Sequence, residues 1–153
     1  MNKKGQKLAE AKYFYDRMVE IQNTVVSHNR EHFIYSFSAF LSASRSVLQY
    51  MCREIEQKKD LVAKQEAKKW YDGKMTASQN LKFFKGKRDI NIHTTPIMPI
   101  GHIIAVVPGP VAFRYSFSAK RKPEKEVLPL CLSYLAELEE FINDGVSKGY
   151  ITP

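Results

Sequence analysis

Apolar residues recur at three- and four-residue steps along most of the chain, which is the spacing of helices that bury one face. This pattern predicts helices over about 4–27, 30–58, 60–75, 76–93 and 124–147. Pro96 disfavours helical geometry at the residue before it, so the fourth helix should end near His93 or Thr94. Thr76 or Ser78 is expected to cap the start of that helix.

The second predicted helix has the most regular apolar stripe and should lie in the middle of the bundle. The stripe contains Phe33, Phe37, Phe40, Leu41, Ser44, Leu48, Met51 and Ile55. Serines and alanines beside it let a neighbouring helix approach closely. In the third helix, the residues predicted on the drier side are Leu61, Val62, Trp70 and Tyr71.

The periodicity changes after residue 102, where apolar and polar residues alternate on both sides of Pro108-Gly109-Pro110. A period of two around a Pro/Gly turn predicts a β-hairpin over about 102–118. A lone hairpin is marginally stable, so its apolar face should pack on the helices or on a partner. Pro129 is compatible with the last helix only in its first turn. The predicted fold is a mainly α antiparallel helical bundle with an added hairpin and a C-terminal helix, in one domain spanning 1–153.

The bulk composition limits the class of protein further. A hydrophobic content of 44% argues against disorder, and no apolar run approaches the roughly 20 residues needed to span a bilayer. Cys52 and Cys131 both lie in apolar helical contexts, which indicates small buried side chains rather than a disulfide. The sequence therefore predicts a cytoplasmic protein with no membrane partner.

The net charge of +8 is concentrated in one fifth of the chain. Between Lys58 and Arg88 there are ten basic residues and three acidic residues. Such focusing is typical of proteins that bind polyanions, because neutralised phosphates release their counterions. A solvated lysine face on a helix explains the same pattern, and charge alone leaves both readings open.

Most catalytic motifs are absent: the sequence has no phosphate-binding glycine loop, no paired cysteines and no HExxH. His28 and His32 have a spacing that metals accept, but no third ligand accompanies them, so we expect neither a metal nor another cofactor. What remains is Arg88 followed five residues later by His93. This pair ends a predicted helix and closes the basic segment.

These residues resemble the signature of the HEPN superfamily (higher eukaryotes and prokaryotes nucleotide-binding domains). That signature is an arginine, usually a polar residue next, and a histidine after four to six intervening positions. Arg88-Asp89-Ile90-Asn91-Ile92-His93 has the four-residue spacing, with Asp89 in place of the commoner asparagine. Residues 37–47 are similar to the small-residue core helix of several bacterial members, and Trp70-Tyr71 upstream of Phe83-Phe84 is similar too. The resemblance covers about 8–94 and leaves the hairpin and last helix outside.

The resemblance implies a metal-independent endoribonuclease, active as a homodimer, in a toxin–antitoxin or phage-defence system. A nucleotidyltransferase-type antitoxin is the partner that such a system implies. A histidine can exchange protons with the 2′-hydroxyl or the departing 5′-oxygen of RNA, and an arginine can hold the phosphate. We therefore assign His93 as general acid/base, Arg88 as phosphate clamp and Asp89 as orienting neighbour. Lys82, Lys85 and Lys87 are expected to attract RNA.

Helix geometry complicates this assignment. Residues five apart on a helix diverge by about 140° and lie about 7.5 Å apart along the axis, so one straight helix does not aim both at one phosphate. A two-fold dimer would bring a second copy of each into one cleft. The alternative function is a non-catalytic HEPN-like module that binds or dimerises, in which Arg88 pairs with an acid and His93 caps its helix.

Overall fold

The structure is a computed structural model that describes residues 2–24, 29–93, 99–105, 111–117 and 126–153. Within these ranges, the structure describes the backbone but not the side chains at 29, 89–93, 102–105 and 111–113. The elements are, in order, α1 (Lys3–Asn23), α2 (Asn29–Glu56), α3 (Leu61–Ala77), α4 (Gln79–His93), β1 (Ile100–Ala105), β2 (Val111–Ser116) and α5 (Val127–Ser147). The predicted fold class, a helical bundle with a hairpin, is confirmed.

Short-range hydrogen bonds explain where several helices begin. The Asn2 side chain accepts from the Gly5 amide at the start of α1, and Asp60 accepts from Val62 and Ala63 at the start of α3. The Ser78 hydroxyl accepts from the amide of Leu81 at 3.0 Å. Polar side chains at these positions satisfy amides that have no partner within the helix. Ser78 thus separates α3 from α4, as the sequence predicted.

Proline and glycine residues mark the end of α4 and both ends of α5. Helix α4 ends at His93, three residues before Pro96, and Pro129 is the third residue of α5, within its first turn. Gly149 has a positive φ of 69°, and the amide of Tyr150 donates to the carbonyl of Gly145. A left-handed residue just after a helix directs the chain back over its last turn.

Long-range contacts show how the helices run. Lys4 at the start of α1 meets Glu54 near the end of α2, so these two helices are antiparallel. The Tyr71 hydroxyl donates to the Leu48 carbonyl, and Phe84 packs edge-on against Phe40. Helices α3 and α4 therefore run in sequence back along α2.

All five helices contribute to one hydrophobic core, and every residue of the predicted α2 stripe is buried in it. Its centre is aromatic: Phe84 stacks on Tyr134 with ring centroids 4.3 Å apart, and Phe40 lies edge-on to both. Such pairs add about 0.5–1.5 kcal/mol beyond the area that they bury. No helix in the described part of the chain is long and apolar enough to cross a membrane.

The hairpin packs on the bundle through its second strand. The two strands are antiparallel, with Ile100 opposite Ser116 and Ala105 opposite Val111. Tyr115 stacks on Phe33 of α2 at 3.8 Å, and its amide donates to the Gln22 side chain of α1. Phe117, just after β2, contacts Phe37. The expected packing of the hairpin's apolar face on the helices is thus present, whereas the Pro108–Pro110 turn lies outside the described residues.

Two sequence expectations about burial are wrong. Leu61 and Val62 are the first two residues of α3 and are exposed, at 66% and 63%. Cys131 is buried as expected, but Cys52 is only half-buried and its Sγ lies 3.7 Å from a carboxylate oxygen of Glu56. Apolar neighbours in the sequence therefore did not predict whether the side chains of Leu61, Val62 and Cys52 are buried.

Helix α3 is fastened to α5 through Trp70. The indole N–H donates to the Asp144 carboxylate at 2.7 Å, and the ring packs against Phe141 and Tyr150. A Cβ at Gly145 would lie 2.5 Å from the Trp70 ring, so the absence of a side chain there admits the indole. Hydrogen bonds from Lys148 and Trp70 lower the pKa of Asp144 to about 2.

A buried ion pair joins the two ends of the chain. The Lys4 side chain is fully buried, and its Nζ lies 2.8 Å from a carboxylate oxygen of Glu54 and 3.4 Å from the Thr152 hydroxyl. Glu54 also accepts from the amide and the hydroxyl of Thr152. Burial alone would raise the pKa of Glu54, but the hydrogen bonds from Lys4 and Thr152 lower it.

Replacing Glu54 with alanine should destabilise the fold, because the buried Lys4 ammonium then loses its counter-charge. We expect a loss of about 3 kcal/mol, at the low end for a broken buried ion pair since Glu54 itself is partly exposed. Urea unfolding followed by circular dichroism measures the change in the free energy of unfolding.

The double variant Lys4→Met/Glu54→Ala is the control, since it removes the unpaired charge and should recover part of the loss. In the wild type, the lowered pKa of Glu54 means that its contribution is complete above the ordinary carboxyl range. It is lost as the pH falls through the folded-state value. A Glu54→Ala protein as stable as the wild type would contradict this role.

Candidate functional site

The aromatic core fixes the orientation of α4, the helix that carries the Arg88–His93 segment. Phe84 stacks on Tyr134 of α5, and Phe83 and Phe84 both pack edge-on against Phe117. Arg88 follows Phe84 by one helical turn and therefore lies on nearly the same side of the helix. Arg88 therefore lies near the side of α4 that packs on the core.

Arg88 is accordingly half-buried rather than fully presented to solvent. Its Nε is shielded from water, and the residue already takes part in interactions within the chain. A phosphate would therefore be reached by the outer, terminal nitrogens of the guanidinium. This placement agrees with an arginine held in a defined orientation, and equally with a structural arginine.

His93 is the last residue of α4, and Asp89 follows Arg88 within it. As the sequence predicted, positions 88 and 93 lie on one helix, with four residues between them. The side chains of Asp89 and His93 lie outside the described part of the structure, so their assigned roles stay predictions. His28, the other member of the considered metal pair, also lies outside it.

The three lysines predicted to attract RNA have different surroundings. Lys82 and Lys85 are exposed on α4. Lys87 is half-buried, with its Nζ 5.2 Å from the centroid of the Phe83 ring and 5.3 Å from that of Phe117. A cation over two ring faces is held by their negative quadrupoles. Lys87 therefore serves the packing of the hairpin on α4 as well as the positive surface.

The fold also brings basic side chains together that the sequence did not connect. Arg45 and Arg53 of α2 line a cavity of about 370 Å³ together with Lys85 of α4 and Asp72 of α3. In the sequence, the only sign of this cluster is that Arg45 and Arg53 are eight residues apart, which places them on one face of α2. It was missed because no pattern in α2 shows that α3 and α4 return beside it.

Among the described residues, we also considered metal binding and nucleophilic thiols. No group of three potential metal ligands occurs among them. Burial raises the pKa of the Cys131 thiol, and burial together with Glu56 raises that of Cys52. Both thiols are thus poor nucleophiles at neutral pH, since the thiolate is the reactive form.

In comparisons with known proteins, no family model, no curated protein and no solved structure matches this chain. The resemblance to the HEPN superfamily therefore has only the quoted residues of this sequence behind it.

Replacing Phe84 with alanine should destabilise the protein by about 3–5 kcal/mol, because it removes a buried ring and leaves a cavity between α2, α4 and α5. Thermal and urea unfolding measure this loss. The matched control is Tyr35→Ala, since Tyr35 is 65% exposed and its loss should change stability by no more than about 0.5 kcal/mol. Equal effects of the two substitutions would mean that α4 is not docked through Phe84.

Proposed function

We propose that this protein is a metal-independent endoribonuclease of the HEPN type that acts as a homodimer in the cytoplasm. His93 is the general acid/base, Arg88 holds the scissile phosphate, and Asp89 orients its neighbours. Lys82, Lys85 and Lys87 contribute the electrostatic attraction for RNA. A nucleotidyltransferase-type antitoxin is the partner that the resemblance suggests.

One observation carries the proposal: α4 ends at His93, five residues after Arg88 and on the helix that exposes Lys82 and Lys85. The positions to which we assign proton transfer and phosphate binding are thus at the same end of one helix, which also exposes two lysines. The helix C-terminus favours cationic side chains, which suits a histidine that must donate a proton.

The reaction uses groups that RNA and this chain supply. One histidine accepts the proton of the 2′-hydroxyl while the 2′-oxygen attacks the adjacent phosphorus. The bond from phosphorus to the 5′-oxygen breaks, and a protonated histidine donates to that oxygen. The products are a 2′,3′-cyclic phosphate and a 5′-hydroxyl end. Arg88 stabilises the negative charge on the phosphoryl oxygens as it develops.

A dimer supplies what one helix lacks. Because positions 88 and 93 diverge by about 140° around α4, Arg88 of one subunit is better placed to work with His93 of the other. Two-fold symmetry gives two such pairs, and in each pair the histidine that accepts the 2′-hydroxyl proton then donates a proton to the 5′-oxygen.

The half-burial of Arg88 and the location of Lys87 over two rings favour a second candidate, a non-catalytic module that binds RNA or dimerises. In that case Lys87 stabilises the contact between α4 and Phe117, and Arg88 has a structural role. The two candidates differ in whether RNA is cut, which the first experiment below decides.

In EDTA, the wild type should cleave single-stranded RNA and leave 2′,3′-cyclic phosphate ends, detected by gel electrophoresis and mass spectrometry. His93→Ala should lower the rate by about 10²- to 10⁴-fold, since a general acid/base is lost. Arg88→Ala should lower it by about 10²- to 10³-fold, through loss of charge stabilisation. RNA with 2′-deoxy substitutions at every position should be resistant.

Two matched variants serve as controls. His32→Ala removes an exposed histidine of α2, and Arg17→Ala removes an exposed arginine that pairs with Glu20 on α1. Both should cleave as fast as the wild type. If the wild type and His93→Ala leave RNA equally intact, the nuclease proposal fails and the non-catalytic module stands.

Mixing Arg88→Ala protein with His93→Ala protein should restore cleavage if the site combines residues of two subunits. A heterodimer of the two variants contains one composite site with an intact Arg88 from one chain and an intact His93 from the other. Activity after co-refolding should clearly exceed that of either variant alone. An inactive mixture that still forms heterodimers, as shown by native mass spectrometry, would contradict a shared site.

A further inference from the structure

A cavity lies between α2, α3 and α4, and Arg88 is not among the described residues that line it. It has a volume of about 370 Å³, and Arg45, Gln49 and Arg53 form its α2 wall. These residues are four apart, so they lie above one another on one helix face. Tyr71 and Asp72 of α3 form the facing wall, and Lys85 of α4 completes the lining.

The α2 and α3 walls are joined by contacts of Tyr71 that do not involve the charged side chains of the cavity. The Tyr71 hydroxyl donates to the Leu48 carbonyl at 3.2 Å, and its ring stacks with Phe141 of α5. Burial raises the pKa of Tyr71 to about 12, so it remains a neutral phenol at the cavity wall. The cavity is thus a built feature of the α2–α3 contact.

The charges around the cavity are unbalanced. Among the described side chains that line the cavity, three cations, Arg45, Arg53 and Lys85, face one carboxylate, Asp72. The ion pairs formed between described residues include none of these four side chains. The Cζ atom of Arg53 lies 5.7 Å from the centroid of the Tyr50 ring, a contact that adds no negative charge to the cavity.

Arg45 adds a second observation. Its Nε is shielded from water and has no hydrogen-bond partner among the described residues. A shielded guanidinium donor is costly to leave without an acceptor, and native structures nearly always satisfy such groups. An anion seated in the cavity would supply that acceptor.

We propose that this cavity binds a terminal phosphate group, that is, a phosphate monoester. Such a group carries a charge of about −1.5 to −2 at neutral pH, which matches three cations against one carboxylate. Arginine binds phosphate oxygens through paired hydrogen bonds, and the Gln49 amide offers a further neutral donor. A phosphodiester has one negative charge and matches this excess less well. The ligand is either a free mononucleotide or the phosphorylated end of an RNA strand.

This inference is independent of the ribonuclease proposal, although Lys85 serves both. It concerns binding by Arg45 and Arg53, neither of which was assigned a part in cleavage. Its test uses adenosine monophosphate, which contains no bond that the proposed nuclease could cut. Failure of one proposal therefore leaves the other unaffected.

Isothermal titration of the full chain with adenosine monophosphate and with adenosine is the first test. The monophosphate should bind and adenosine should not, because the phosphate supplies the recognised charge. Arg45→Gln should weaken binding by about tenfold or more, the loss expected for charge-assisted hydrogen bonds. Asp72→Asn should tighten binding, since it removes the one repulsive carboxylate. A purely structural role of these residues predicts no such gain.

Arg17→Gln is the matched control, because Arg17 is an exposed arginine of α1 remote from the cavity lining. It should bind as the wild type does. Should Arg45→Gln unfold, the exposed positions Arg53 and Lys85 allow the same test through Arg53→Gln and Lys85→Gln. Equal binding of adenosine and its monophosphate, or equal effects of Arg45→Gln and Arg17→Gln, would overturn the proposal.

Two further titrations distinguish the sources of the phosphate. A short 2′-O-methyl oligonucleotide, which cannot be cleaved through its 2′-position, is compared with and without a 5′-phosphate. Tighter binding of the phosphorylated strand supports an RNA end as the ligand. Binding of adenosine monophosphate without any dependence on the 5′-phosphate of the strand supports a free nucleotide.

Discussion

The stacking of Phe84 on Tyr134 is the interaction on which the arrangement of the candidate sites depends. It joins α4 to α5, while Phe40 places the same pair against the central helix α2. Phe117 then packs on Phe84 and attaches the hairpin to this centre. Because Phe84 contacts rings from three other segments at once, these contacts restrict the rotation of α4 about its axis. That rotation determines that Arg88 turns toward the core and that Lys85 turns toward α2.

Much of the fold follows from local rules that the sequence displays. Ser78 begins α4 because its hydroxyl satisfies a free amide, and the helix ends before Pro96 because the proline disfavours helical geometry. The period of two after residue 110 gave the second strand and the inward direction of Tyr115. The apolar stripe of α2 was complete enough to identify the central helix. Each of these signals can be read within a single predicted element.

What the sequence did not reveal depends on distant partners. The burial of Lys4 requires Glu54 and Thr152, which lie 50 and 148 residues away. Leu61 and Val62 are exposed, and their own periodicity did not show it. The Arg88 and His93 positions were predicted from a motif, whereas no motif predicted the cluster of Arg45 and Arg53 with Lys85. It exists only because α3 and α4 return along α2.

The chain contains a single tryptophan, and the surroundings of Trp70 make it a local spectroscopic reporter. Its indole is held by the Asp144 carboxylate and enclosed by Phe141 and Tyr150, above the bare backbone of Gly145. Intrinsic fluorescence therefore senses the junction of α3 and α5 rather than the molecule as a whole. A loosening of that junction would alter the emission even while the aromatic centre around Phe84 stays assembled. Trp70 emission can thus be compared with far-ultraviolet dichroism, which follows the helices as a whole.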